Sequence, residues 1–313
     1  MLSAGTSLVA HSLALRRDGR VECWGSNRFQ QAPPQRRAGA GPGHKQVSAG
    51  SCFSLALRQD GSVECFGYNV FNCCAPPRDI PFEQVSCGLH HVLALSERDK
   101  SVFCWGDNRY GQAPPEPRPG PYRSVAAGGY FSLGLRLDGS LDCWGVNDHG
   151  QAPPQGLPGP YTFVAAGTHH ALALRPDGSI HCFGANGNGQ APPEGRAVWE
   201  GPFSSCAAGF AHSLGLRSDG SIAAWGWNSL GQAPPDGVVA DAKFVAIACG
   251  FEHSLGLRSD GRIDCFGSNG FGQAPPGGMA GPFALPPIAE IDRESQLQEL
   301  AERLATVKRK YGV

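Results

Sequence analysis

Seven times along the chain an aromatic residue is followed directly by glycine: Trp24-Gly25, Phe66-Gly67, Trp105-Gly106, Trp144-Gly145, Phe183-Gly184, Trp225-Gly226 and Phe266-Gly267. Successive pairs lie 42, 39, 39, 39, 42 and 41 residues apart, and an Asn stands two residues after each Gly, from Asn27 to Asn269. Most units continue as Gly-Gln-Ala-Pro-Pro, as in Gly111 to Pro115. A unit of about 40 residues without long helical stretches, repeated seven times, specifies propeller blades or a comparable β array.

Within a unit, His11-Ser-Leu-Ala-Leu-Arg16, then Asp18-Gly19, then Val21-Glu-Cys-Trp-Gly25 reads as strand, turn and strand. A two-residue turn at Asp18-Gly19 would place Val21 and Cys23 on the face opposite the leucines. A three-residue loop, Arg17-Asp18-Gly19, with Gly in the left-handed region and a bulge, pairs Leu15 with Val21 and Leu13 with Cys23 and gives one uniformly apolar face. That register is predicted.

The other face carries Ala14 and Trp24. The Ala14 position holds only Ala or Gly in the other units (Ala56, Ala94, Gly134, Ala173, Gly215, Gly256), which is expected to leave room for a neighbouring blade's aromatic ring. A short strand such as Ser124–Gly128 precedes each hairpin, and a fourth, irregular edge strand is expected near Gln-Ala-Pro-Pro, since Pro is tolerated only at edges.

The predicted fold class is all-β: a seven-bladed β-propeller with a short C-terminal α-helix. Residues 1–283 form the propeller and 284–313 a linker and amphipathic helix, with Leu297, Leu300, Leu304, Val307 and Tyr311 at three- and four-residue intervals. The helix is expected to dock on the rim rather than to form a coiled coil. The first unit is short of its opening strand, and Gly281-Pro282-Phe283, which repeats the lead-ins Gly120-Pro121-Tyr122 and Gly159-Pro160-Tyr161, is expected to help seal the ring.

The combination Ala-Gly-x-x-x-Ser-Leu-Ala-Leu-Arg-x-Asp-Gly-x-Val-x-Cys-Trp-Gly-x-Asn-x-x-Gly-Gln resembles the repeat of the regulator of chromosome condensation family, over about nine tenths of the chain. The resemblance implies a seven-bladed propeller. It also implies a choice of roles, since the family includes an exchange factor for a Ran-type GTPase, a plant ultraviolet-B photoreceptor, ubiquitin ligases with appended catalytic domains and a bacterial β-lactamase inhibitor; fold does not choose among them. The units here end in Gln-Ala-Pro-Pro where the chromosomal member usually has Gln-Leu-Gly, and no long basic tail is present, which argues against chromatin. The photoreceptor's Gly-Trp-Arg-His-Thr positions read Gly209-Phe210-Ala211-His212-Ser213 and Gly250-Phe251-Glu252-His253-Ser254, without the chromophore tryptophans.

Lys plus Arg total 26 against 27 for Asp plus Glu, with no long run of one sign, so neither nucleic acid nor an anionic membrane is an expected partner. No stretch reaches the roughly 18 apolar residues of a membrane span. The acid-free segment Met1 to Arg17 could pass for a mitochondrial presequence, but His11–Arg16 recurs as part of the fold.

Cys23, Cys65, Cys104, Cys143, Cys182 and Cys265 share one strand position opposite leucines such as Leu13 and Leu133, so the 12 cysteines read as mostly reduced core residues of an intracellular, cytoplasmic protein, with the nucleus left open. Cys73-Cys74 departs from this by replacing the usual Gly-Gln region in a loop with one inserted residue; redox or metal chemistry is open there, against the simpler reading of a surface loop. His11, His91, His170, His212 and His253 also share one position, and structural hydrogen bonding is expected rather than a metal centre, because each would come from a different blade. Arg16, Arg58, Arg136, Arg175, Arg217 and Arg258 close one strand and are expected to pair with the turn aspartates.

No catalytic motif, cofactor site or metal site is found. What varies between units is the pair after each Asn: Arg28-Phe29, Val70-Phe71, Arg109-Tyr110 and Asp148-His149 are the candidate partner-binding residues on one rim. The expected function is a non-enzymatic protein-protein interaction scaffold with a protein partner. The alternatives are a guanine nucleotide exchange factor for a Ran-type small GTPase and a substrate-recognition relative of the ubiquitin ligases.

Overall fold

The structure is a computed structural model that describes residues 2–5, 10–33, 43–192, 202–233 and 243–284. Each repeat forms one three-stranded antiparallel sheet, giving seven sheets in sequence order. Blade 4 is representative, with an inner strand Tyr122–Ala127, a middle strand Phe131–Arg136 and an outer strand Leu141–Gly145. The helix expected near the C-terminus lies outside the described residues. Among those residues no helix is long and apolar enough to cross a membrane.

The hairpin register is the one that puts all apolar residues together. Leu13 pairs with Cys23 and Leu15 with Val21, and Gly19, at φ 78°, supplies the left-handed residue that closes the three-residue loop. The leucine face of each blade then packs on the small-residue face of the next. Leu133, Leu135, Leu141 and Cys143 of blade 4, for example, meet Val164, Ala171 and Ala173 of blade 5 in one buried cluster. Each such leucine contributes about 1.5–3 kcal/mol by burial, so the ring is held by a series of inter-blade seams rather than by one central core.

Three expectations about the blades are corrected. The ring over the Ala/Gly position belongs to the blade's own inner strand: a Cβ on Gly134 would lie 2.7 Å from Tyr122, on Gly215 2.5 Å from Phe203, and on Gly256 2.6 Å from Phe244. These rings lean diagonally across the adjacent strand pair and fill the space themselves. The fourth strand is reduced to single bridges, Val102 with Arg118, Leu141 with Leu157 and Ile263 with Met279, lying beyond Gln-Ala-Pro-Pro. Four of the six strand-end arginines pair across the hairpin with outer-strand acids, Arg16 with Glu22, Arg58 with Glu64, Arg136 with Asp142 and Arg258 with Asp264, and Arg217 donates to the Ser221 hydroxyl. Only Arg258 among these also reaches its turn aspartate, Asp260, at 3.6 Å. The turn aspartates instead accept hydrogen bonds from the residue two positions on, as Asp138 does from the Ser140 N–H and hydroxyl.

The ring closes as the lead-in repeat suggests. Leu2–Ala4 pairs with the middle strand of blade 1, while Phe283 bridges to Arg16 and the Ala284 N–H donates to the Leu15 carbonyl at 2.7 Å. The inner edge of blade 1 is therefore assembled from both ends of the described chain, and Phe283 is fully buried against Leu255, Leu257 and Ile263 of blade 7.

Candidate protein-interaction face

The inner-to-middle turns and the loops that follow the outer strands emerge at the same end of every blade, because the middle strand runs away from that end and the outer strand returns to it. Backbone bonds tie the two together: the Tyr68 N–H donates to the Cys52 carbonyl and the Asp107 N–H to the His90 carbonyl. The Asp-Gly turns occupy the opposite end.

The loop after each outer strand is fastened by its own Asn and Gln. Asn108 Oδ1 accepts the Ala113 N–H, Gln112 Oε1 accepts the Tyr110 N–H, and the Gly111 N–H donates to the Asn108 carbonyl. The same Asn and Gln bonds recur in blades 1, 4, 5, 6 and 7, for example at Asn27/Gln31 and Asn269/Gln273. With the polar side chains turned inward onto backbone groups, the two intervening residues are presented outward.

Beneath this face the axial histidines link successive blades. His11 Nε2 bonds Ser54 Oγ, His91 bonds Ser132, His170 bonds Ser213, His212 bonds Ser254 and His253 bonds Ser12, at 2.7–2.9 Å. Each serine hydroxyl also donates to the carbonyl of the Gln in the preceding blade, as Ser132 does to Gln112, so the histidine must donate from Nε2. Where the histidine is replaced by Phe53 or Phe131, the next blade carries Val92 or Ala171 in place of serine. Burial lowers the pKa of His91 and His212 to about 4 and of His170 and His253 to about 3, keeping all four neutral at pH 7. These histidines serve as hydrogen-bonding pins; among the described residues no three His, Cys, Asp or Glu converge as a metal site would require.

Of the sequence-predicted rim residues, Phe71, Arg109 and Tyr110 come together. The Arg109 guanidinium lies 4.9 Å from the Phe71 ring centre and 5.9 Å from that of Tyr110, within cation–π range. Both of its Asp107 contacts are 2.9 Å long. Burial works to raise the pKa of Asp107, but Arg109 holds it below the usual carboxylate value. Phe29 stacks on Tyr68 at 5.4 Å, and His149 meets His169 edge-on at 5.8 Å. Arg28 and Asp148 are exposed without joining either cluster, and Val70 is half-buried.

The inner turns supply residues that the sequence reading missed. Phe71 contacts His90 at 5.6 Å, His90 contacts Tyr130 at 6.3 Å, and Tyr130 meets Tyr110 at 5.6 Å. In blades 5, 6 and 7 His169, Phe210 and Phe251 form a second series, the last pair stacked at 4.1 Å. Their signal in the sequence is a ring-bearing residue between the Ala-Gly or Cys-Gly and the following strand in five units, at His90, Tyr130, His169, Phe210 and Phe251. With Phe29, Phe71, Tyr110, Leu230 and Phe271, all 38–55% exposed at equivalent loop positions, this end carries a broken circle of accessible apolar side chains.

A model of the "Regulator of chromosome condensation (RCC1) repeat" matches residues 10–31, 45–73, 82–112, 122–151, 161–190, 203–232 and 244–273, well over half of the chain. The chain belongs to the RCC1 repeat family. The human probable E3 ubiquitin-protein ligase HERC4 is 41% identical to this RCC1-repeat chain over 76 residues, which is 20% of the chain and only 7% of the ligase. Among solved structures, Prp20p from Saccharomyces cerevisiae, described with binding properties towards Gsp1p and histones, superimposes with a TM-score of 0.68 at 19% identity, covering 96% of this chain and 85% of Prp20p. The CRINKLY WD40 ectodomain of the Arabidopsis thaliana receptor kinase ACR4 also gives 0.68 at 19% identity, covering 88% and 97%. At such identities these likenesses establish the RCC1-type propeller fold.

Proposed function

We propose that this RCC1-repeat protein is a non-enzymatic interaction scaffold that binds a protein partner through the aromatic end of the propeller, centred on Phe71, His90, Arg109, Tyr110 and Tyr130. The observation that carries the reading is the Arg109 arrangement: an exposed guanidinium held by Asp107 and stacked between accessible rings. Exposed aromatic and Arg side chains on fixed loops are the composition of interaction hot spots, because they bring large contact area with little ordering entropy left to lose. HERC4, named a probable ubiquitin-protein ligase, and Prp20p, described as binding Gsp1p and histones, act on or bind other proteins, which supports a protein partner as the ligand class.

The test is affinity capture from lysate with three forms of the protein: wild type, Phe71→Ala/Arg109→Ala/Tyr110→Ala, and Arg20→Ala/Arg262→Ala on the opposite end. A partner retained by the first and third forms and lost by the second supports the aromatic end. Equal capture by all three overturns it. Capture is run once with EDTA and once with magnesium and GTP; a small GTPase retained only without nucleotide would move the reading to a guanine nucleotide exchange factor.

A further inference from the structure

Blade 2 is built differently at its outer edge. In blades 3, 4 and 7 the segment after Pro-Pro runs back along the outer strand and bridges it, as Arg118 does with Val102. Seven residue steps separate the second proline from the next inner-strand aromatic there, Pro115 to Tyr122, but only five separate Pro77 from Phe82. The shorter connection makes no such bridge with Val63. A cavity of about 740 Å³ lies at this edge, lined by Val63, Cys74, Pro76, Pro77, Ile80 and Pro81 among others.

The loop of blade 2 is held instead by a disulfide between Cys65 and Cys74, with Cα atoms 5.2 Å apart, inside the range of about 4.4–6.8 Å that a bridge needs. The Cys74 N–H donates to Asn69 Oδ1, the bond made by Ala32, Ala113, Ala152, Ala191, Ala233 and Ala274 in the other blades. Cys74 thus stands where six blades have a buried alanine beside the outer strand, and it is itself partly exposed. Burial pushes the unbridged strand thiols Cys104, Cys143, Cys182 and Cys265 up to about 12, so they are protonated and unreactive at neutral pH.

We infer that Cys65–Cys74 is a thiol–disulfide exchange site for a small thiol of the glutathione class, and that exchange there unfastens the rim loop that carries Tyr68 and Phe71. A thiolate entering the cavity attacks Cys74 Sγ, the sulfur that faces it; the Cys65–Cys74 bond breaks, a mixed disulfide forms on Cys74, and Cys65 leaves as a thiolate that takes a proton from water. A second thiolate attacks the sulfur of the bound small thiol and releases Cys74. Two small thiols are oxidised to one small disulfide while the protein disulfide is reduced to two thiols, and excess small disulfide reverses both steps. The effect on partner binding rests on the interaction-face reading; the exchange chemistry does not.

Full-length protein is equilibrated in native buffers of varied glutathione to glutathione disulfide ratio, quenched in acid, and mapped by alkylation and peptide mass spectrometry. Cys65 and Cys74 are expected to interconvert together while the buried cysteines stay as thiols. In Cys65→Ala, glutathione disulfide is expected to leave its adduct on Cys74. A bridge that resists native thiol, or adducts spread over the buried cysteines, overturns the exchange site. Cys74→Ala places there the alanine of the other six blades, keeps the N–H that donates to Asn69 Oδ1, and serves as the control. Amide exchange across residues 71–74 is expected to rise about tenfold on reduction of the wild type and to be unresponsive to redox buffer in Cys74→Ala; exchange chemistry without that rise overturns the latch. A redox-dependent loop whose state leaves capture of the partner unchanged would count against the interaction-face reading and not against the site.

Discussion

The two ends of this propeller solve the same problem by opposite means. At the Asp-Gly end each turn is satisfied locally, with carboxylates such as Asp60, Asp138 and Asp219 accepting from the backbone and hydroxyl two residues on, in full solvent. Those serine bonds hold the pKa of these aspartates below the ordinary carboxylate value. At the aromatic end the His, Ser and Gln groups are buried and reach between blades, and what remains outside is a set of rings and apolar side chains with Arg109 among them. The contrast teaches that one end is cheap to disturb and uninformative to a partner, whereas the other hides its hydrogen-bonding capacity in order to present side chains.

The sharpest way to exploit the difference is binding. With a purified partner in calorimetry, Phe71→Ala/Arg109→Ala/Tyr110→Ala is expected to weaken affinity by about a hundredfold or more, with the melting temperature nearly unchanged, whereas Arg20→Ala/Arg262→Ala alters neither. Equal losses at both ends would erase the distinction.

Acid should find the aromatic end first. Four of the axial histidines, His91, His170, His212 and His253, are neutral in the fold, with pKa values lowered by burial to about 3 or 4 from an ordinary 6.5. Between those values the unfolded chain binds protons that the folded chain does not, so stability falls as pH drops below 6.5 and continues to fall towards 4. Denaturant unfolding across this window measures the slope, and a flat profile would contradict buried, neutral histidines.

A single pin can be removed by Ser254→Ala, which strands His212 Nε2 and the Gln232 carbonyl and is expected to cost about 1–3 kcal/mol in urea unfolding. Adding His212→Phe copies the Phe131–Ala171 arrangement of blades 4 and 5 and is expected to recover part of the loss. The smallest effect belongs to the Asp-Gly end: Asp138→Ala should move the melting temperature by no more than about 2 °C.

Much of this was legible in the repeat. The hairpin register followed from keeping Leu13, Leu15, Val21 and Cys23 on one face, and the sealing role of Phe283 followed from its likeness to Tyr122 and Tyr161. Phe71, Arg109 and Tyr110 were legible as members of the variable pair after each Asn. His90, Tyr130 and Phe210 were not, because a ring between a glycine and a strand reads the same whether it packs or protrudes. The Cys65–Cys74 bridge is not legible in the hairpin for a geometric reason: the residue facing Cys65 there is Leu55, and the sulfur that reaches it comes from a loop folding back over the open edge. The acid partners of Arg16, Arg58 and Arg136 were missed because these long side chains cross diagonally to the next strand, while proximity in sequence favours the turn.

The shared construction of blade 1 has a consequence for how the protein is made. Its middle and outer strands leave the ribosome some 260 residues before Phe283 and Ala284, which complete its inner edge. Until then the nascent chain carries an open sheet edge at blade 1, where a chaperone or a neighbouring nascent chain can pair, and the arrival of Phe283 and Ala284 decides whether that blade is completed by its own polypeptide.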